Sequence, residues 1–152
     1  MRSQFFARRR NLVENPGASA LHRNRYRRGV AAVEFAIVAP IFFLLVMGII
    51  EVGRALMVQQ VLINASRVGA RRAVMLSSSA EAAIDATTDY ANGVGIAGVE
   101  VEVSPDPAAA ATGDAVTVEV TINYSEVTWL PSPWFMGGKV LTASSVMRKE
   151  GF

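Results

Sequence analysis

Gly29 and Glu34 are the residues with the most chemical content in this chain, set in the run Arg27-Arg28-Gly29-Val30-Ala31-Ala32-Val33-Glu34-Phe35. A basic stretch ends at the glycine. Five residues later a lone carboxylate stands at the head of a sequence suited to hydrocarbon. An ionised acid in such a medium is costly unless a cation or a donor meets it, so its presence marks a functional position. The chemistry this pattern offers is charge pairing, and the segment reads as both an address and an assembly device.

Most catalytic chemistries are excluded by composition. There is no cysteine, and the one histidine, His22, lies in the basic first segment. Without them the rest of the chain has no disulfide, no thiolate or His-based metal site and no Ser-His-Asp triad. Glu100, Glu102 and Glu119 alternate with valines and read as solvated charges. Asp106 and Asp114 fit no calcium-loop spacing. Gly93-Val94-Gly95-Ile96-Ala97-Gly98 spells G-x-G-x-x-G, but the dinucleotide motif needs a strand before it and a helix after it. Here the order is reversed, so the glycines read as a helix-to-strand turn. The sequence therefore points to no catalytic residue, no metal and no cofactor.

Charge is divided unevenly along the chain. Residues 1–29 hold eight arginines against one glutamate, net +7, and the remainder holds seven Lys/Arg against twelve Asp/Glu, net −5. A basic arm next to a membrane segment follows the positive-inside rule, with the arginines in the cytoplasm. Nucleic acid is not expected as a partner; membrane lipid is. Residues 1–29, with Pro16 and Gly17 and no apolar period, read as a disordered leader. Residues 30–50 are apolar except for Glu34. At about 1.5 Å per residue, these 21 positions span a hydrocarbon core of about 30 Å. The run is too long for a cleaved secretory signal and lacks its small-residue site, so it reads as a retained anchor. Pro40 inside it predicts a kink.

The helix is expected to leave the membrane as an amphipathic stem. Val58, Val61, Leu62, Ala65, Val68 and Gly69 recur at three- and four-residue steps, and the stem is expected to end near Leu76. Ser79 is placed to cap a second helix, with Glu81 in its first turn, a body reaching about Ala91, and Asn92 and Gly93 as terminators. The period then changes to two. Val99, Val101 and Val103 form one alternating run, Val116, Val118, Val120 and Ile122 a second, and residues 139–148 a weaker third. The fold class is α+β: a long N-terminal transmembrane and stem helix, then a second helix, packed on a small antiparallel sheet of about three strands. The organisation reads as leader 1–29, transmembrane helix 30–50, stem and second helix 51–97, and sheet region 98–152.

Gly29 through Arg54, with Val33-Glu34-Phe35-Ala36, Pro40, Gly48, Glu51 and Arg54, resembles the TadE-like family of minor pseudopilins of the bacterial tight-adherence (Tad, or Flp) pilus. The likeness extends less sharply over Gln59-Gln60 and Ala65, covering about residues 27–73. The strand region carries no motif of that family. The resemblance implies a pilin-like fold and a chain that is the substrate of an enzyme rather than an enzyme. It implies cleavage by a prepilin peptidase between Gly29 and Val30, after which Glu34 is the fifth residue of the mature chain. It further implies that Glu34, beside Phe35, pairs with the amine at the head of a neighbouring subunit and sets axial register. Other pilin or pseudopilin subunits and the inner-membrane assembly platform are the implied partners, and the domain would face the periplasm or the cell exterior. Many type IV pilins begin the mature chain with phenylalanine; this one would begin with valine. Major Flp pilins are little more than the helix, so the additional domain here argues for a minor subunit.

Trp129, Trp134 and Phe135 bracket Pro131 and Pro133, and serve either as a lid on the core or as a rigid contact for another subunit. Two rival readings share much of this pattern. One is a type II secretion pseudopilin. The other is an uncleaved single-pass anchor carrying a small binding or sensory domain.

Overall fold

A computed structural model describes residues 16–128 and 138–151, and side chains from Gly29 onward. Two helices, α1 (Pro16–Ala73) and α2 (Ala80–Gly93), precede three strands, β1 (Glu100–Ser104), β2 (Ala115–Asn123) and β3 (Val140–Arg148). The strands form an antiparallel meander in the order β1-β2-β3. The fold is thus α+β, as the change of hydrophobic period predicts. The chain divides into two compact units, Met1–Leu45 and Val46–Phe152.

In the first unit α1 is apolar on every side from Val30 to Leu45, apart from Glu34. From Val30 to Leu45 the large hydrophobic side chains, Phe35, Phe42 and Phe43 among them, are all exposed. A helix satisfies its own backbone, which is why such a sequence can sit in lipid. It is the one candidate membrane span among the described residues. Pro40 lies inside the helix. The helical backbone also covers residues 16–29, the described part of the segment read as an irregular leader. Once the apolar stretch has nucleated a helix, adding residues at its end is cheap.

In the second unit the stem half of α1 becomes one-sided. Ala55, Val58, Leu62, Ala65, Ala70 and Ala73 are buried, at helical spacing. Val116, Val118, Val120 and Ile122 line one face of β2 and are all buried against them. Burying a side chain of this size is worth about 1.5–3 kcal/mol, so this central strand is the main apolar contribution to the domain. Register carries the inner face onto both neighbours. Val101 and Val103 stand opposite Val120 and Val118, while Leu141, Ala143 and Met147 stand opposite Ile122, Val120 and Val116.

The stem can approach the sheet closely because its inner face is small. Gly69 sits where α1, α2 and β2 converge: a methyl group there would run into Thr87 Oγ1 and lie 3.1 Å from Val118. Val68, expected on the buried face, is instead 37% exposed, and Ser66, Ala70 and Ala73 take the inward positions. Small residues win this face because bulk there would push the helices apart. The stem also ends at Ala73, short of Leu76, because the chain turns through Ser77, whose φ is +57°.

The second helix starts as its sequence predicts. Ser79 Oγ accepts the Ala82 N–H at 3.2 Å, and Glu81 lies in the first turn. Its end differs from expectation. The left-handed residue is Gly95, at φ +83°, with Gly95 N–H donating to Asn92 O and Ile96 N–H to Ala91 O. This paired closure with apolar residues at both ends is a Schellman cap, and Ile96 and Ala91 both join the core. The G-x-G-x-x-G run is therefore a helix-to-strand turn, with Gly98 also at positive φ, +79°.

The connection after β1 is held by its own polar groups. Asp106 Oδ1 accepts Ala108 N–H at 2.9 Å and Asp114 Oδ2 accepts Ala111 N–H at 2.8 Å. Lys149 Nζ donates to the carbonyls of Pro107 and Ala110. These aspartates close turns, in keeping with the absence of a calcium-loop spacing.

Candidate functional site

The predicted cleavage and assembly residues all lie on the first part of α1. Gly29, Val30, Glu34 and Phe35 are exposed, and nothing stands within 4 Å of a methyl group placed at Gly29. The Gly29–Val30 bond is in helical backbone. Glycine is about 1 kcal/mol less favourable than alanine inside a helix, so the ladder is locally weakened at that bond. One turn further on, Glu34 is flanked by exposed Val30, Val33, Ile37 and Val38 and has no partner among the described residues. Its carboxylate thus projects from a surface that otherwise offers only hydrocarbon.

A second cluster gathers around Glu51. The spacing of the buried face, Glu51-Ala55-Val58-Leu62, brings this carboxylate inward, and it is only 5% exposed. Glu51 Oε1 accepts the Thr128 hydroxyl. Its main-chain carbonyl accepts the Tyr124 hydroxyl at 2.9 Å. One turn on, Arg54 Nε donates to the Val127 carbonyl. Both charged residues at the start of the stem therefore grip the short 3-10 turn Tyr124–Glu126 and the two residues after it. Tyr124 is 1% exposed and lies in the core. Burial first, and then neighbouring Glu51, push its hydroxyl up to about 12, with Arg54 pulling the other way.

The arrangement is a tie between the helix and the returning chain. A carboxylate, a guanidinium and a phenol are all spent on holding residues 124–128 to the helix. The tie ends immediately before Trp129. Trp129, Trp134 and Phe135 themselves lie outside the described residues. The resemblance names Glu51 and Arg54, but sequence reasoning assigned them no role. The available signal was the spacing: Glu51 lies four residues before Ala55 and seven before Val58, on the same face. No group of three or more His, Asp or Glu side chains placed to hold a metal occurs among the described residues.

Residues 29–71 match the TadE-like protein family. The match opens on Gly29 and closes within the stem, so it takes in Glu34, Pro40, Glu51 and Arg54 and leaves α2 and the sheet outside. It associates the chain with the Tad pilus, through a family whose role is structural. No curated protein and no solved structure matches the chain. The exposed apolar helix fits a single-pass membrane protein.

Proposed function

We propose that this TadE-like chain is a minor pseudopilin of the Tad pilus, processed by a prepilin peptidase between Gly29 and Val30. The observation that carries the reading is the coincidence of three features on one helix. The family match begins at Gly29, Glu34 follows five residues later with no partner among the described residues, and the helix from Val30 onward is otherwise exposed hydrocarbon.

The mechanism follows from charge. Residues 1–29 hold a net +7 that anchors the amino terminus on the cytoplasmic side. Cleavage removes it and leaves a chain of net −5 with a new amine at Val30. The cut needs the Gly29 carbonyl out of the helical ladder, and glycine lowers the cost of opening it. Glu34 of an incoming subunit then meets the amine of a neighbour already in place. Each charge relieves the other's desolvation, and the pair works mainly by setting register, since buried pairs add little net stability. The inner-membrane assembly platform would take up the processed subunit, with the sheet domain on the periplasmic or outer side.

Amino-terminal sequencing of the chain, produced with and without its cognate prepilin peptidase, tests the processing step. A new terminus at Val30 that depends on the peptidase supports it. An intact leader in the peptidase's presence leaves an uncleaved anchor. Glu34→Ala separates the second step: the variant should be cut normally but fail to enter the pilus machinery. Normal recruitment would remove the pairing role.

A further inference from the structure

The second unit carries two charged surfaces of opposite sign. A groove of about 500 Å³ runs between α1 and α2, lined by Arg67, Val68, Arg71, Arg72, Met75 and Tyr90, among others. Its three arginines fall within six residues. Arg67 and Arg71, one turn apart, repel each other. Among the described residues none of the three makes an ion pair; Arg72 reaches only the Met75 sulfur, at 3.6 Å. The outer face of the sheet is the counterpart. Glu102 stands directly opposite Glu119 in the β1–β2 register, with Glu100 two residues along β1, and all three are exposed. Like charges facing across a ladder are destabilising. Arg148 shares that face but lies at its far end and donates to the Gly113 carbonyl.

The two surfaces point away from each other. Leu62, Ala65 and Gly69 turn one side of the stem to the sheet, while Arg67, Val68 and Arg71 occupy the other side. The outer sheet face is by definition turned from the stem. The stem therefore presents three positive charges along the groove, and the outer sheet face three negative charges turned away from it. Val146, 60% exposed beside the acidic row, is an apolar projection to match the apolar groove floor of Val68 and Met75.

We propose that a second copy of this chain docks here, the arginine groove of one copy receiving the acidic outer sheet face of the next. The contact joins unlike faces, so it is heterologous and extends as a row or ring rather than closing as a two-fold pair. A lipid headgroup does not fit the same groove. Arg67 lies seventeen residues past Ile50, about 25 Å further along the helix axis. The contact does not depend on leader removal, so its test is separate from that of processing.

The absence of cysteine makes cross-linking clean. Two full-length, differently tagged chains are co-expressed in membranes, one carrying Val68→Cys and the other Ser144→Cys, a position opposite Glu119 in the sheet register. A cross-link between the two tags is expected, and at least a tenfold loss when Arg67→Glu and Arg71→Glu are added to the first chain. Adding Glu102→Lys and Glu119→Lys to the second should restore it. High salt should weaken the contact, since the screening length shrinks from about 10 Å at 0.1 M to about 3 Å at 1 M. Rescue by the charge swap also shows that the reversed chains are folded. A cross-link indifferent to reversal, or reversal without rescue, overturns the proposal. So does binding to anionic vesicles that is lost in the arginine variants while no cross-link between copies forms.

Discussion

Gly69→Ala measures how much of the fold rests on close approach of the stem. The added methyl would overlap Thr87 Oγ1 and press on Val118 at 3.1 Å. Thr87 cannot swing aside freely. It is buried, β-branched, and donates to the Ala83 carbonyl at 2.7 Å. Overpacking a tight interior costs about 1–3 kcal/mol. Displacing the threonine hydroxyl forfeits a hydrogen bond of about 1 kcal/mol. Against this, alanine is favoured over glycine in a helix by about 1 kcal/mol. The net expectation is a loss of about 1–3 kcal/mol, read as a drop of several degrees or more in the melting temperature of the domain. The control is Gly53→Ala on the same helix, where nothing lies within 4 Å. There the propensity gain stands alone, and stability should rise by about 0.5–1 kcal/mol. Thermal unfolding of the full chain in detergent, followed by near-UV circular dichroism, gives both numbers. A double-mutant cycle with Thr87→Ala should show positive rescue, because the two sites share one contact. If the two glycine variants shift in the same direction, or if Thr87→Ala gives no rescue, the stem does not pack as argued.

Four further substitutions have defined outcomes. Tyr124 has its hydroxyl raised from 10.0 to about 12, so the folded state favours the neutral phenol. That contribution is complete below pH 10 and is lost as pH rises through about 12, up to about 2–3 kcal/mol at 1.36 kcal/mol per unit. Tyr124→Phe should abolish this alkaline loss in a pH series of melting curves, while costing about 0.5–1.5 kcal/mol at neutral pH. Glu51→Ala leaves the Thr128 hydroxyl without the Glu51 carboxylate, destabilising by about 1–3 kcal/mol. Thermal unfolding checks it, and an unchanged melting temperature would mean that the Glu51 tie adds no stability. For α2, Ser79→Ala should cost about 1 kcal/mol through the lost cap and Gly95→Ala about 1–2 kcal/mol through the left-handed backbone, both measurable by chemical denaturation.

The elements and their order were legible in the sequence because each rests on a local cause. Alternation of Val116, Val118, Val120 and Ile122 is a strand with one buried face, whatever else surrounds it. Ser79 caps a helix through a bond to Ala82, three residues away. The run from Val30 to Ile50 needs no tertiary partner to declare itself suited to lipid, and Gly29 and Glu34 stand out against it by type alone. The residues that escaped sequence reasoning depend on contacts across more than seventy positions. The helical spacing of Glu51 to Ala55 and Val58 points it inward, but its burial is completed only by Thr128 and Tyr124 returning to the helix. Val68 looked like a core residue by size, yet packing put small Ser66, Gly69 and Ala70 inward, since only a low surface lets two helices and a sheet converge. The opposed charges of Arg67, Arg71 and Arg72 and of Glu100, Glu102 and Glu119 are each visible as letters. Their placement on opposite sides of one domain is a product of the fold, because the stem's inner face must turn to the sheet and so sends its arginines outward.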